Sequence, residues 1–422
     1  MSTADVVGQD RAAPPLEEDE LPGGLAGIYA RAWLNLRTGN LGPVPIIVGL
    51  IAVVIIFGLT ATNFFTAVNF VNLITQTAGT AMLAYGVVFV LLLGEIDLSI
   101  GYLAGIGALI VAELQLPGSS LQMNGIAAMV LAVAACAGIG AFQGSIVAYV
   151  GVPSFVVTLA GFLIWQGVIL NALEQRGTII IQDRWINYTD LYIFSHWLGW
   201  IIAGVFTALY PISILYKSLV ARGTQIAQQN WIIVGLKAFG IAVVAFGTVA
   251  ICNSGQVITT PEGLPLAGVI IVLFFVLLTF LAKWTTFGRH VYAVGGNAEA
   301  ARRAGINVPR IRVLVFAISG ATAGIGGIIF AAQVNSVALT FPPGNLLLNA
   351  IASAVIGGVS LFGGRGEVRG ALIGAILIGT LQNGLNTLSI SNGWIYIVTG
   401  LVLLFAVTLD TFARRLQVRS GR

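Results

Sequence analysis

The sequence predicts an all-α protein that crosses a membrane many times, and three observations carry that prediction. Of 422 residues, 57% are apolar and only 9% are charged, whereas a soluble domain carries roughly 25% charged residues because its surface faces water. The apolar residues fall in runs long enough to cross a bilayer core about 30 Å thick, which takes roughly 20 residues per helix. Between the runs, Lys and Arg concentrate on alternate loops. So few charges exclude a soluble enzyme with a large core. The excess of 20 basic over 16 acidic residues is no nucleic-acid footprint, because the cations sit in short loops between apolar runs.

That ruler gives a polytopic transmembrane helical bundle of about 12 spans (10–12). They run near 44–60, 71–93, 97–115, 124–148, 154–172, 196–218, 231–252, 266–283, 312–333, 346–362, 370–388 and 394–412, with a break inside the membrane expected at 94–97. With the N-terminus inside, seventeen Lys and Arg fall on cytoplasmic segments, Arg11, Arg31, Arg37, Arg222 and Arg422 among them, against Arg176 and Arg184 outside. The bias places both termini in the cytoplasm. The acidic run Glu17–Glu18–Asp19–Glu20 precedes any apolar run, so residues 1–42 read as a cytoplasmic tail rather than a cleaved leader. Residues 43–413 then form the transmembrane domain, interrupted by a cytoplasmic loop at 284–311, and 414–422 form a second tail.

Glycines recur four apart inside spans, at Gly101 and Gly105, Gly140 and Gly144, Gly320 and Gly324, and Gly370 and Gly374. That spacing lets helix backbones approach closely and predicts a compact bundle. Cys136 and Cys252 lie in apolar runs and read as small buried hydrophobes; His196 and His290 lack metal-ligand spacing. No G-x-x-x-x-G-K-[ST], H-E-x-x-H or G-x-S-x-G motif occurs. Gly363–Gly364–Arg365–Gly366 is glycine-rich but lacks the lysine and hydroxyl that cradle phosphates. The chain is therefore expected to bind no cofactor or metal and to catalyse no reaction itself.

The longest polar stretch is the loop from about Thr285 to Arg312. Within it Asn297 is a good N-cap, Glu299 lies in the first turn, Arg302 and Arg303 lie in the last, and Gly305 can end a helix left-handed. Together they predict a two-turn helix outside the membrane. A helix so definite implies either a protein partner or contact with lipid headgroups.

Glu299–Ala300–Ala301 followed by Gly305 resembles the E-A-A-x-x-x-G coupling loop of ABC importer permeases. Flanking residues Phe287–Gly288–Arg289, Gly295–Gly296–Asn297 and Gly305–Ile306 are similar to the ribose/xylose branch of that superfamily. So are the runs from Gly94 through Glu95, Asp97 and Ser99 to Gly101, from Val152 to Gly161, from Ala350 to Gly358, and from Leu381 to Asn386. The similarity covers about 44–412. The extra apolar sequence at 196–252, and Glu95 where ribose-type members more often have glycine, lean toward the xylose-type monosaccharide permeases.

The resemblance implies two permease copies, two cytoplasmic ATPases that use ATP and Mg, and an external sugar-binding protein, all at a bacterial inner membrane. Coupling to the ATPase would fall on Gly288, Arg289, Gly295, Gly296, Asn297, Glu299, Ala300, Ala301, Arg302, Gly305 and Ile306.

Polar residues inside spans are the remaining candidates. Glu95, Asp97 and Ser99 read as a capped helix junction or as a gate. Ser154, Thr158, Gln166, Asn349, Gln382, Asn383 and Asn386 read as helix–helix hydrogen bonds or as pathway contacts for a neutral sugar. A permease for ribose, galactose or a similar sugar, and an ion-coupled secondary carrier, are the alternatives. A carrier would more often show an intramembrane relay of ionisable groups.

Overall fold

The computed structural model describes residues 44–118, 121–174, 176–220, 231–254, 263–342 and 345–419. The expected tail at 1–42 and the cations Arg11, Arg31, Arg37, Arg222 and Arg422 lie outside them.

The chain is a helical bundle. In order it forms α1 (Val44–Thr60), α2 (Ala67–Leu92), α3 (Ile100–Leu114), α4 (Gly125–Ser145, continued by a wide turn at Ile146–Val150), α5 (Ser154–Leu173) and β1 (Ile179–Ile180). Next come α6 (Arg184–Leu191), α7 (His196–Val220), α8 (Trp231–Cys252), α9 (Leu266–Trp284), α10 (Thr286–Gly296) and α11 (Ala298–Arg303). The last are α12 (Val308–Val334), β2 (Ser336–Val337), α13 (Leu346–Ile356), α14 (Val368–Thr387) and α15 (Asn392–Arg419). Among the described residues, eight helices are long and apolar enough to cross a membrane, and four shorter apolar helices fall at the other expected spans, 44–60, 97–115, 346–362 and 394–412. The span near 312–333 starts earlier than expected, at Val308, because Pro309 suits the first turn and Asn307 caps it through Arg310 N (3.0 Å). Helix α15 runs on through the basic residues to Arg419.

Helices α2 and α12 stand at the centre, with α12 packed against α2, α3 and α4. Small residues set that packing. A Cβ on Gly140 would lie 2.2 Å from Phe316 O, and one on Gly320 would lie 2.1 Å from Cys136 O. Each of the eight glycines spaced four apart has a neighbour within 3.1 Å of where its Cβ would be, so the spacing marks close helix contacts throughout.

Contacts between connecting segments sort the two ends of the bundle. At one end, the residues after α2 touch the start of α5, the α10–α12 segment and the loop before α14. At the other end, β1 pairs antiparallel with β2, and Asp183 accepts from Gly125 N (3.0 Å). Helix α6 lies there too, started by Asp183 accepting from Trp185 N (2.8 Å); the sequence reading did not include it.

Candidate functional site

The segment between α9 and α12 is more structured than the predicted loop. Thr285 caps α10 by accepting from Gly288 N (3.1 Å), and Val291 and Val294 bury its inner face. Asn297 ends α10 and starts α11, accepting from Ala300 N (2.9 Å). Helix α11 then closes with a Schellman turn: Ile306 N donates to Ala301 O and Gly305 N to Arg302 O, both at 3.0 Å. Gly305 takes φ 85°, the left-handed region where a side chain is strained. The predicted cap, charges and stop are all present, although α11 has six residues rather than two full turns.

Ala301 is buried and holds α11 down, while Glu299, Ala300, Arg302 and Arg303 are exposed. Glu299 pairs with Arg302 (2.8 Å) and Arg303 (3.2 Å). Hydrogen bonds from Arg302 and then Arg303 hold its carboxyl below the usual range. Such exposed pairs stabilise little, so this charged face is not what keeps the helix folded.

Two glycines seat α10. A Cβ on Gly288 would lie 2.0 Å from Ala282 O, and one on Gly295 would lie 1.7 Å from Leu92 O and 2.8 Å from Gly364 N. Gly364 N itself donates to Leu92 O (2.8 Å). Three backbones therefore meet without side chains: the end of α2, the end of α10, and the loop before α14. Gly296 is exposed beside Gly364, and Arg289 is exposed on the outer face of α10.

Beneath this contact the chain breaks between α2 and α3, as the sequence reading expected. Backbone polar groups buried in a bundle must find partners, and here Gly94, Glu95, Ile96 and Ser99 find theirs. Helix α2 ends in its own Schellman turn, Glu95 N to Val90 O (3.2 Å) and Gly94 N to Leu91 O (2.9 Å), with Gly94 at φ 75°. Ile96 N donates to Ser154 Oγ (3.2 Å), and Thr158 Oγ1 donates to Ile96 O (3.1 Å) and Ser154 O (2.8 Å). One turn of α5 thus serves both polar groups of Ile96. Asp97 accepts from Ser99 N (2.9 Å) and from Ser319 Oγ (2.8 Å). Ser99 does not cap α3 with its own side chain. Its hydroxyl stands 2.7 Å from Asp97 Oδ1 and 2.9 Å from the amide of Gln143. Gly161 leaves room for that amide.

Glu95 pairs with Arg312 at 3.1 Å. Arg312 and Ser319 are seven residues apart on α12, two turns along one face, so α12 grips the break at two points and begins beside α11.

The remaining polar candidates do not gather in one place. Asn383 bridges Asn69 (2.9 Å) and Gln76 (3.2 Å), tying α14 to α2. Gln382 and Gln166 are half-buried and Asn386 is exposed. Asn349 is buried, and its Oδ1 has no hydrogen-bond partner. Gln143 and Ser319, absent from the sequence candidates, complete the Asp97 network; single polar residues within apolar spans gave no local signal. Among the described residues, no group of three His, Cys, Asp or Glu side chains could hold a metal ion.

A polytopic helical bundle whose α10–α11 segment is braced on a buried break fits a membrane permease. Residues 69–407 match the family described as branched-chain amino acid transport system permease components, and the chain belongs to that family. It is 34% identical over 390 residues to the xylose transport system permease protein of Escherichia coli K12, covering 90% of this chain and 94% of that one. The xylose permease protein of Haemophilus influenzae is 35% identical over 365 residues, 86% of this chain and 94% of the relative. The ribose import permease protein of Escherichia coli K12 is 30% identical over 382 residues, 90% and 95% respectively. No solved structure matches the chain. The protein is a multi-pass component of the inner membrane.

Proposed function

We propose that this chain is the membrane-spanning subunit of an ATP-driven monosaccharide importer, with D-xylose as its sugar. The observation that carries the reading is the likeness to xylose permease proteins along nearly the whole chain. The hairpin of α7 and α8 agrees with it, being the apolar insertion that leaned the sequence toward the xylose type. Ribose is the second reading, favoured by the 30% identity to a ribose import permease.

In this reading the end bearing α11 faces the cytoplasm, where its exposed face docks on a separate ATPase that holds ATP and Mg. A sugar-binding protein delivers substrate at the other end, and a second copy of this chain completes the pathway. Movement imposed on α11 passes into α12, and from there to the break through Arg312–Glu95 and Ser319–Asp97. Because Glu95 and Asp97 sit on the element that α12 grips, they act as the gate, and Ser154 and Thr158 hold that element against α5.

Reconstitution of the chain with its ATPase and binding protein tests the reading. Glu299→Lys and Gly305→Val are expected to leave the protein in the membrane and to retain ATP hydrolysis. Xylose uptake should fall at least about tenfold, the effect of roughly 1.4 kcal/mol lost from docking. Unchanged uptake in both variants would defeat the coupling role. Sugar accumulation by the chain alone, under an ion gradient, would instead mark a secondary carrier.

A further inference from the structure

An open cleft of about 540 Å³ lies at the end of α9, lined by Lys283, Arg289, Tyr292, Arg365 and Glu367 with Ala282 and Gly366. Lys283, Arg289 and Arg365 outnumber Glu367 by three to one. Glu367 is already engaged by Lys283 (2.7 Å) and by Arg369. Arg289 and Arg365 are exposed and have no acidic partner among the described residues. The Tyr292 hydroxyl donates to Gly366 O (2.7 Å), which fixes the cleft wall and leaves the cations to face the opening. Burial, with Glu367 adding to it, pushes the Tyr292 hydroxyl above its ordinary range, so it adds no negative charge.

The cleft opens at the foot of an apolar stripe. Leu273, Val276, Leu277, Phe280 and Trp284 follow one another at helical spacing along α9, and all are exposed. The stripe ends in an aromatic pair, Phe280 and Trp284, with ring centres 6.0 Å apart. Aromatic rings at that position mark the boundary between acyl chains and headgroups. An acyl chain lying along the stripe would bring its headgroup to Lys283, Arg289 and Arg365. Basic clefts between membrane helices on the cytoplasmic side suit phosphate headgroups, and Arg binds phosphate with two parallel hydrogen bonds.

We propose that this cleft binds the phosphate headgroup of an anionic lipid, whose chains lie against the outer face of α9. Its placement in the cytoplasmic leaflet rests on the orientation proposed above. Binding itself is read on this chain alone, so its failure and the failure of the transport reading are distinguishable.

The test is native mass spectrometry of the full chain released from vesicles of mixed phosphatidylglycerol and phosphatidylcholine. The wild-type chain is expected to retain phosphatidylglycerol selectively, undisturbed by millimolar inorganic phosphate. The double variant Lys283→Ala/Arg365→Ala should retain about 25-fold less, roughly fivefold for each cation removed. Arg310→Ala, an exposed cation at the same end but outside the cleft, should change retention less than about twofold and controls for net charge and folding. Equal retention of both lipids, or equal loss in Arg310→Ala, would overturn the proposal. Displacement by inorganic phosphate would overturn the lipid source in favour of a soluble anion. Absence of lipid together with protection of Lys283 by the ATPase subunit would overturn it in favour of a protein contact.

Discussion

Helices α2 and α12 at the centre and the hairpin of α7 and α8 at the edge are all apolar spans. Yet 78% and 61% of the most apolar stretches of α2 and α12 are buried, against 11% in each helix of the hairpin. Hydropathy runs the wrong way to explain this: α2 is less apolar than either hairpin helix, and α9, the most apolar span, is only 22% buried. In a bilayer an outward face has nothing to gain from being polar, while the interior collects the small and hydrogen-bonding residues that let helices touch. Burial here follows polar residues and glycines that meet another helix: α2 carries Asn69, Asn72, Gln76 and three threonines, whereas the glycines of α8 have nothing within 4 Å. The edge hairpin is held differently, by a stacked pair, Trp200 and Phe246 (5.9 Å), and a small cluster against Phe70 and Ile74 of α2.

The sharpest way to break that contrast is to add the same few atoms in both places. Gly320→Val should cost about 3 kcal/mol or more, since its Cβ meets the backbone carbonyl of Cys136 and neither helix can yield. Gly240→Val in α8, where nothing lies within 4 Å, should change stability by less than about 0.5 kcal/mol. Thermal unfolding in detergent, followed by size-exclusion, reads both. Similar losses would mean that the hairpin packs as tightly as the centre.

A smaller effect is expected where the interior is polar. Asp97→Ala strands Ser99 N and the Ser319 hydroxyl in a buried site, so a loss of about 2–3 kcal/mol should follow on the same assay. Asp97→Asn, which keeps an acceptor, should lose less.

At the opposite end of the molecule, Asp190 on α6 is buried with Oδ1 unpartnered, and burial pushes its carboxyl up to about 7. An unfolded aspartate titrates near pH 4, so between about pH 4 and 7 the folded chain holds the extra proton. Stability should therefore fall as pH rises through that window, because the unfolded chain releases its proton there while the folded chain must keep it or hold a buried charge. Asp190→Asn should flatten this pH dependence in thermal melts.

What was legible in the sequence was what is local. The spans follow from runs of residues, and α11 from an N-cap, three charges and a glycine within nine positions. The glycine pairs follow from spacing along one helix. Helix α10 was missed because its inner face is short, Gly288, Val291 and Val294 with Phe287 and Tyr292 partly buried beside them, and Arg289 and His290 on the outer face make the segment read as polar. Helix α6 was missed because its start signal, Asp183, sits in a polar connection beside Arg184. Gln143, the partner of Ser99, lies 44 residues from it, and Ser319, a partner of Asp97, lies 222 residues from it, pairings that only the packed bundle creates. The amide candidates show the converse. Asn383 found partners on α2, whereas Gln166 and Asn386 share no common site with it, because the polarity of a residue does not say which face of its helix turns inward.

The central claim is that α11 faces the cytoplasm and docks on an ATPase. Cys136 and Cys252 are both buried, and Ala300 is exposed, so Ala300→Cys supplies a single reactive thiol. A membrane-impermeant maleimide should label it in inside-out vesicles and not in intact cells, and bound ATPase should suppress that labelling at least about tenfold. Labelling in intact cells, or labelling indifferent to the ATPase, would contradict the account.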